Sequence, residues 1–90
     1  MKRKSLKEEL FVAVFWSPFV GKVGYRGAAA AITSDNKIGK FDILPEHTNF
    51  ITLIFDKLVI HTLEKKKIEY EFKRGVLEVS DNLVKIFLGI

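Results

Sequence analysis

Few side chains in this 90-residue chain could do chemistry. His47 and His61 are its two histidines, and it has no cysteine. A zinc site needs roughly three or four converging ligands. Glu46 stands next to His47, but neighbours in an extended chain point to opposite faces. Both histidines are therefore expected to be surface or hydrogen-bonded residues. Glu69 and Glu71 share one face of an alternating segment and could divide acid and base roles if one were desolvated. Lys73 follows on that same face, so a solvated polar face is the expectation. Gly21, Gly24 and Gly27 recur at every third position with Lys22 and Arg26 between them. A phosphate-cradling loop has a different spacing and opens a helix, whereas nothing helical follows here. Turn and strand glycines are the expected reading. Tyr25 beside Arg26 could stack a base, as single-strand binders do. No serine sits in a nucleophile-elbow context, and no acid–His–Ser set can be assembled. The sequence thus offers no catalytic residue, metal ligand set or cofactor site, and a non-enzyme is expected.

The elements that would position such residues are short and extended. Ile68, Tyr70 and Phe72 alternate with Glu69, Glu71 and Lys73, the period of a strand with one face on a core and one in water. Residues 58–63 and 83–88 are apolar and β-branched. Turn chemistry at Asp56-Lys57, at residues 64–67, at Arg74-Gly75 and at Asp81-Asn82 bounds them. Consecutive strands with short connections read as an antiparallel meander. In the first half, residues 10–16 form a strand and 17–22 a loop with Pro18 and Gly21. Residues 25–33 form a second strand, although the alanines at 28–31 are poor strand material. Residues 34–37 turn, 39–45 are extended, 46–50 turn and 51–55 resume a strand. No helix start signal is followed by helical spacing. About eight short strands in one small domain suggest a β-sandwich or barrel. Alternation puts Ile43, Tyr70, Phe72, Leu77, Val79 and Ile86 in its core.

Composition fits that picture. Hydrophobic residues make up 48% of the chain, ordinary for a globular domain and too high for a disordered one. The formal net charge of +4 suggests a polyanion partner until it is located. Lys2, Arg3, Lys4 and Lys7 supply it, and from Glu8 onward eleven basic residues balance eleven acids. Residues 1–9 are thus expected to be a solvated, flexible basic tail able to touch RNA or anionic lipid. Residues 10–90 are expected to be the folded domain. The basic start before an apolar run has the look of a signal peptide, but Glu8, Glu9, Ser17-Pro18, Lys22 and Arg26 argue against export. No run approaches the ~18 apolar residues of a membrane span.

One stretch is more specific: Gly39-Lys-Phe-Asp-Ile-Leu-Pro-Glu-His47, preceded by Ala29-Ala-Ala-Ile-Thr33 and followed by Phe50-Ile-Thr-Leu-Ile54. Gly75-Val-Leu-Glu-Val79 comes later, before a turn and a last hydrophobic strand. In order and spacing this resembles the amino-terminal domain of the epsilon subunit of F-type ATP synthases, over almost the whole chain. That family carries a segment like Gly-Ile-Leu-Pro-Gly-His and later a strand ending in Gly-x-Leu-Glu-Val. Asp42 and Glu46 stand here where the family usually has glycine, and Lys40 where it often has an acid.

The resemblance implies an all-β fold, a small antiparallel β-sandwich of roughly eight to ten short strands. The family usually continues into a C-terminal helical hairpin, and the fold expected of residues up to Ile90 is the sandwich without it. The hairpin's activities, blocking ATP hydrolysis and binding ATP, are not carried over. The function implied is that of a non-catalytic central-stalk subunit of a rotary ATP synthase. It would couple proton or ion transport to ATP synthesis by docking on the gamma subunit and the c-ring. It would sit peripherally at the cytoplasmic face of the plasma (inner) membrane, with no small-molecule substrate and no specific nucleic acid. Ile38, Lys40 and His47 are carried over as ring-facing or stalk-facing residues, and Thr52 as stalk-facing. The alternative is a small β-barrel that binds single-stranded nucleic acid through the tail, Lys22, Tyr25, Arg26 and residues 65–67. Exposed aromatics on one sheet face would favour that alternative, and a flat apolar outer patch would favour the stalk.

Overall fold

Strand period persists along the chain, and strands are what form. The computed structural model describes residues 9–16 and 23–90. Among them are seven strands and no helix: β1 Leu10–Phe15, β2 Val23–Ala29, β3 Ala31–Asp35, β4 Lys40–Ile43, β5 Phe50–His61, β6 Lys67–Ser80 and β7 Leu83–Leu88. They make one sheet in the order β2-β1-β7-β6-β5-β3-β4. Neighbours are antiparallel except β1 and β7, which run parallel from Phe11 opposite Leu83 to Phe15 opposite Phe87. The all-β fold is as expected, and the sheet is mixed rather than wholly antiparallel. The expected loop at 17–22 and the tail lie outside the described residues, apart from Glu9.

Seven strands replace the larger number because two expected breaks do not break the chain. Residues 51–55 and 58–63 belong largely to one strand, β5, and 68–73 and 75–79 to one strand, β6. At the middle of this long hairpin the ladder slips: Phe55 faces Arg74 but Asp56 faces Phe72, so Lys73 has no rung of its own. Asp56 takes a left-handed backbone there, with φ of 74°. A bulge of this kind bends a strand and adds twist. It also changes the phase of β6. Ile68, Tyr70 and Phe72 turn inward before it, and Gly75, Leu77 and Val79 after it.

The bend folds the sheet on itself. One layer is β2, β1, β7, the second part of β6 and the first part of β5. The other is the first part of β6, the second part of β5, β3 and β4. The alanines at 28–31 carry the chain from one layer to the other: strand pairing stops at Ala30, whose N–H donates to the His61 carbonyl at 2.7 Å. Side chains as small as these let the backbone cross without a clash. Leu10, Val12, Val14, Ala29, Ile32, Ile43, Ile54, Leu58, Ile60, Leu77, Val79, Val84, Ile86 and Leu88 form one buried cluster to which every strand contributes. Each larger member is worth ~1.5–3 kcal/mol of burial. Tyr70 and Phe72 pack against this cluster half-buried, whereas Ile43, Leu77, Val79 and Ile86 are fully inside. Tyr70 also ties the layers: its hydroxyl oxygen accepts the Tyr25 backbone N–H at 2.8 Å, and Trp16 meets its ring edge-on.

Candidate docking surface

The β3–β4 hairpin ends in a loop organised by Asn36. Its Oδ1 accepts from the backbone N–H of Ile38 at 2.9 Å and of Gly39 at 3.1 Å. Backbone bonds also run both ways between Asn36 and Gly39. Gly39 sits at φ of 144°, where a side chain would be strained. This loop holds Ile38 almost wholly in water, 96% exposed.

Ile38 faces Thr52 and Leu53 of β5 across a depression of about 210 Å³, which Asn36 and Lys37 also line. Two of the sequence-derived residues, Ile38 and Thr52, are thus brought together. The other two lie apart. Lys40 opens β4 on the outer face of the second layer, in a depression of about 340 Å³ that includes Asp35, Asp42, Lys57, His61, Lys67 and Glu69. Those side chains carry three cations and three carboxylates, so the depression has no net pull on either sign of charge. His47 is half-buried in the β4–β5 loop, with Nδ1 2.8 Å from the Thr48 carbonyl and its ring edge-on to Phe50. It organises its own loop.

The second layer's outer face also holds a polar relay. Thr33 Oγ1 donates to Asp42 Oδ1 at 2.6 Å and lies 2.8 Å from His61 Nε2. The hydroxyl has one proton and gives it to Asp42, so His61 must donate through Nε2. The array lines the same open depression and, with the hydroxyl held as a donor to a carboxylate, cross-links β4, β3 and β5. Among the described residues no three metal-ligating side chains converge.

Sequence reasoning missed the apolar outer face of the first layer. Register places Phe15, Phe87, Val76 and Leu53 side by side across β1, β7, β6 and β5. The Phe15 and Phe87 rings stack at 5.3 Å. Ile51, Phe11 and Leu83 lie on the same face, and Ile51 is 66% exposed. The signal was present in β5, where both parities are apolar: Phe50 and Ile54 on one side, Ile51, Leu53 and Phe55 on the other. Here one of those sides is the core and the other reaches solvent. Tyr25, a candidate for base stacking, packs against the core and donates its hydroxyl proton to the Ala28 carbonyl.

No protein-family model matches the sequence, and no curated protein does. Solved structures do match in fold. A chain of the Euglena gracilis mitochondrial ATP synthase, from a structure of OSCP, F1 and c-ring, superposes over 94% of this chain with a TM-score of 0.83 and 18% identity. A chain of the Tetrahymena thermophila mitochondrial ATP synthase central stalk and c-ring superposes over 96% with a TM-score of 0.73 and 16% identity. This chain spans 53% of the first of those chains and 67% of the second. At these identities the likeness concerns the fold, and the folded sheet described above is the β-sandwich of these two ATP synthase chains, in keeping with the epsilon-type resemblance of the sequence.

Proposed function

We propose that this chain is a central-stalk subunit of a rotary ATP synthase, held at the membrane through the complex, that does no chemistry itself. The carrying observation is the superposition of nearly the whole chain on ATP synthase chains, the second from a central stalk and c-ring structure. The apolar outer face and the Ile38 tip support it, because they give a rigid sheet-on-sheet body a surface to dock with. Docking on the gamma subunit and the c-ring follows from that reading. Ile38 and Thr52 belong to the apolar contact, Lys40 acts as an exposed steering charge, and His47 shapes the neighbouring loop.

One observation favours the nucleic-acid alternative: Phe11 and Phe87 are exposed on a face that also carries Arg26 and Lys85. The test therefore measures both. The organism's gamma subunit is captured on the immobilised chain, with Ile38→Asp, Lys40→Glu, His47→Ala and Thr52→Lys variants, and single-stranded oligonucleotide binding is measured at physiological salt. Capture that Ile38→Asp weakens by about tenfold or more supports docking through the tip. Lys40→Glu is expected to change the association rate and its salt dependence more than the lifetime. No capture of gamma together with submicromolar oligonucleotide binding would overturn the stalk reading.

A further inference from the structure

Among the described residues, the folded sheet has four edges without a strand partner, and they are not alike. β2 carries Arg26, β4 carries Lys40 and Asp42, and the first part of β6 carries Lys67, Glu69, Glu71 and Lys73. Charges on an edge strand are the usual protection against pairing with another chain. The fourth edge is the first part of β5. Residues 50–55 pair with β6 on one side, and β3 pairs only with residues 58–61. Their sequence, Phe-Ile-Thr-Leu-Ile-Phe, has no charge, proline or glycine and is rich in β-branched and aromatic residues. That is the composition most prone to add a strand.

We propose that the free chain pairs with a second copy of itself through this edge, β5 against β5 in antiparallel register about a two-fold axis. Self-pairing suits the edge because no charge meets a like charge anywhere along it. With Thr52 opposite Thr52 of the second copy, Ile51 faces Leu53 and Phe50 faces Ile54, an apolar pair at every flanking rung. A two-fold axis perpendicular to the sheet keeps both outer faces on one side. The row Phe15, Phe87, Val76, Leu53 then meets Ile51 of the second copy, which leads on to that copy's Glu78 and Lys85. The depression of about 210 Å³ beside Thr52 and Leu53 receives the incoming strand, and Ile38 of each copy covers the strand of the other. An isologous contact of this kind closes at two copies and does not propagate. The proposal does not rest on the stalk reading. Where that reading holds, docking uses the same surface, and pairing and docking exclude each other.

Sedimentation velocity of the full chain across about a hundredfold range of concentration tests this, with hydrogen exchange followed at the lowest and highest concentrations. The expected result is a monomer–dimer equilibrium in which the amides of residues 50–55 slow as dimer forms. Ile51→Lys and Leu53→Lys should each weaken the dimer by about tenfold or more, by placing charge on the uncharged edge. Glu71→Lys on β6 should leave it unchanged. Both edge lysines replace side chains that already reach solvent, and thermal melts check that the variants fold. A monomer throughout, a dimer that folded Ile51→Lys and Leu53→Lys variants still form, or slowing confined to β2 or β4 would overturn it.

Discussion

At the scale of single residues, the polar side chains that are buried hold turns and layers together. Asn82 is 8% exposed at the β6–β7 turn, with φ of 65°, and Asp81 before it has φ of 50°. Both left-handed positions are what a two-residue hairpin turn of this twist requires. Asn82 Oδ1 also accepts the Glu46 N–H at 2.7 Å, tying this turn to the β4–β5 loop. Asn82→Gly should lose the bond but keep the backbone, whereas Asn82→Ala loses both. Urea melts are expected to show a cost of about 1 kcal/mol for glycine and about 2 kcal/mol or more for alanine. Equal costs would mean that the backbone conformation contributes nothing. Tyr70→Phe removes the acceptor for the Tyr25 N–H between the layers. About 1–2 kcal/mol of destabilisation is expected, read as a fall of roughly 4–8 °C per kcal/mol.

At the scale of elements, the β5–β6 hairpin decides the architecture. Gly75 lies just beyond the bulge in β6, opposite Ile54 and Leu88. A Cβ added there would meet the Phe87 carbonyl oxygen at 2.6 Å and Leu88 Cδ2 at 3.1 Å. Backbone cannot yield as a flexible side chain does. Gly75→Ala should therefore destabilise by about 1–3 kcal/mol, the usual penalty of overpacking, despite alanine's better conformational entropy. A Tm equal to or above that of the natural sequence would show that the ladder at the bend can open at no cost. Asp56 marks the same bend from the β5 side. A β-branched residue strains the left-handed backbone there more than Asp does, so Asp56→Val should lose about 1–2 kcal/mol and Asp56→Gly should lose none.

At the scale of the whole molecule, charge and apolar surface are separated. The outer face of the second layer is polar and balanced, whereas that of the first holds most of the exposed apolar side chains beside a single charged row of Arg26, Lys85 and Glu78. The excess positive charge resides in Lys2, Arg3, Lys4 and Lys7. Deleting residues 1–7 should lower the affinity for a single-stranded oligonucleotide and flatten its dependence on salt, because each lost phosphate contact removes a share of the salt slope. The Tm should change by less than about 4 °C, the equivalent of roughly 1 kcal/mol in a domain of this size. A larger fall would place the tail in the fold's energetics.

The strands themselves are legible in the sequence because their period is local. The Asp81-Asn82 turn bounds Leu83–Leu88 correctly, and alternation places Leu77, Val79 and Ile86 inside, where the fold has them. The segments at 39–47 and 75–79, in their order and spacing, carry the resemblance that implied a β-sandwich. What local pattern cannot decide is which residues far apart in sequence will meet. The fusion of 51–55 with 58–61 depends on β6 remaining alongside through the bulge, so polar Asp56-Lys57 and Arg74-Gly75 read as ends. The parallel pairing of β1 with β7 joins residues some seventy positions apart, and no periodicity records it. The docking surface is half visible for the same reason. A strand such as β5 reads as apolar on both faces; only the folded sheet decides that one side is the core and the other faces water.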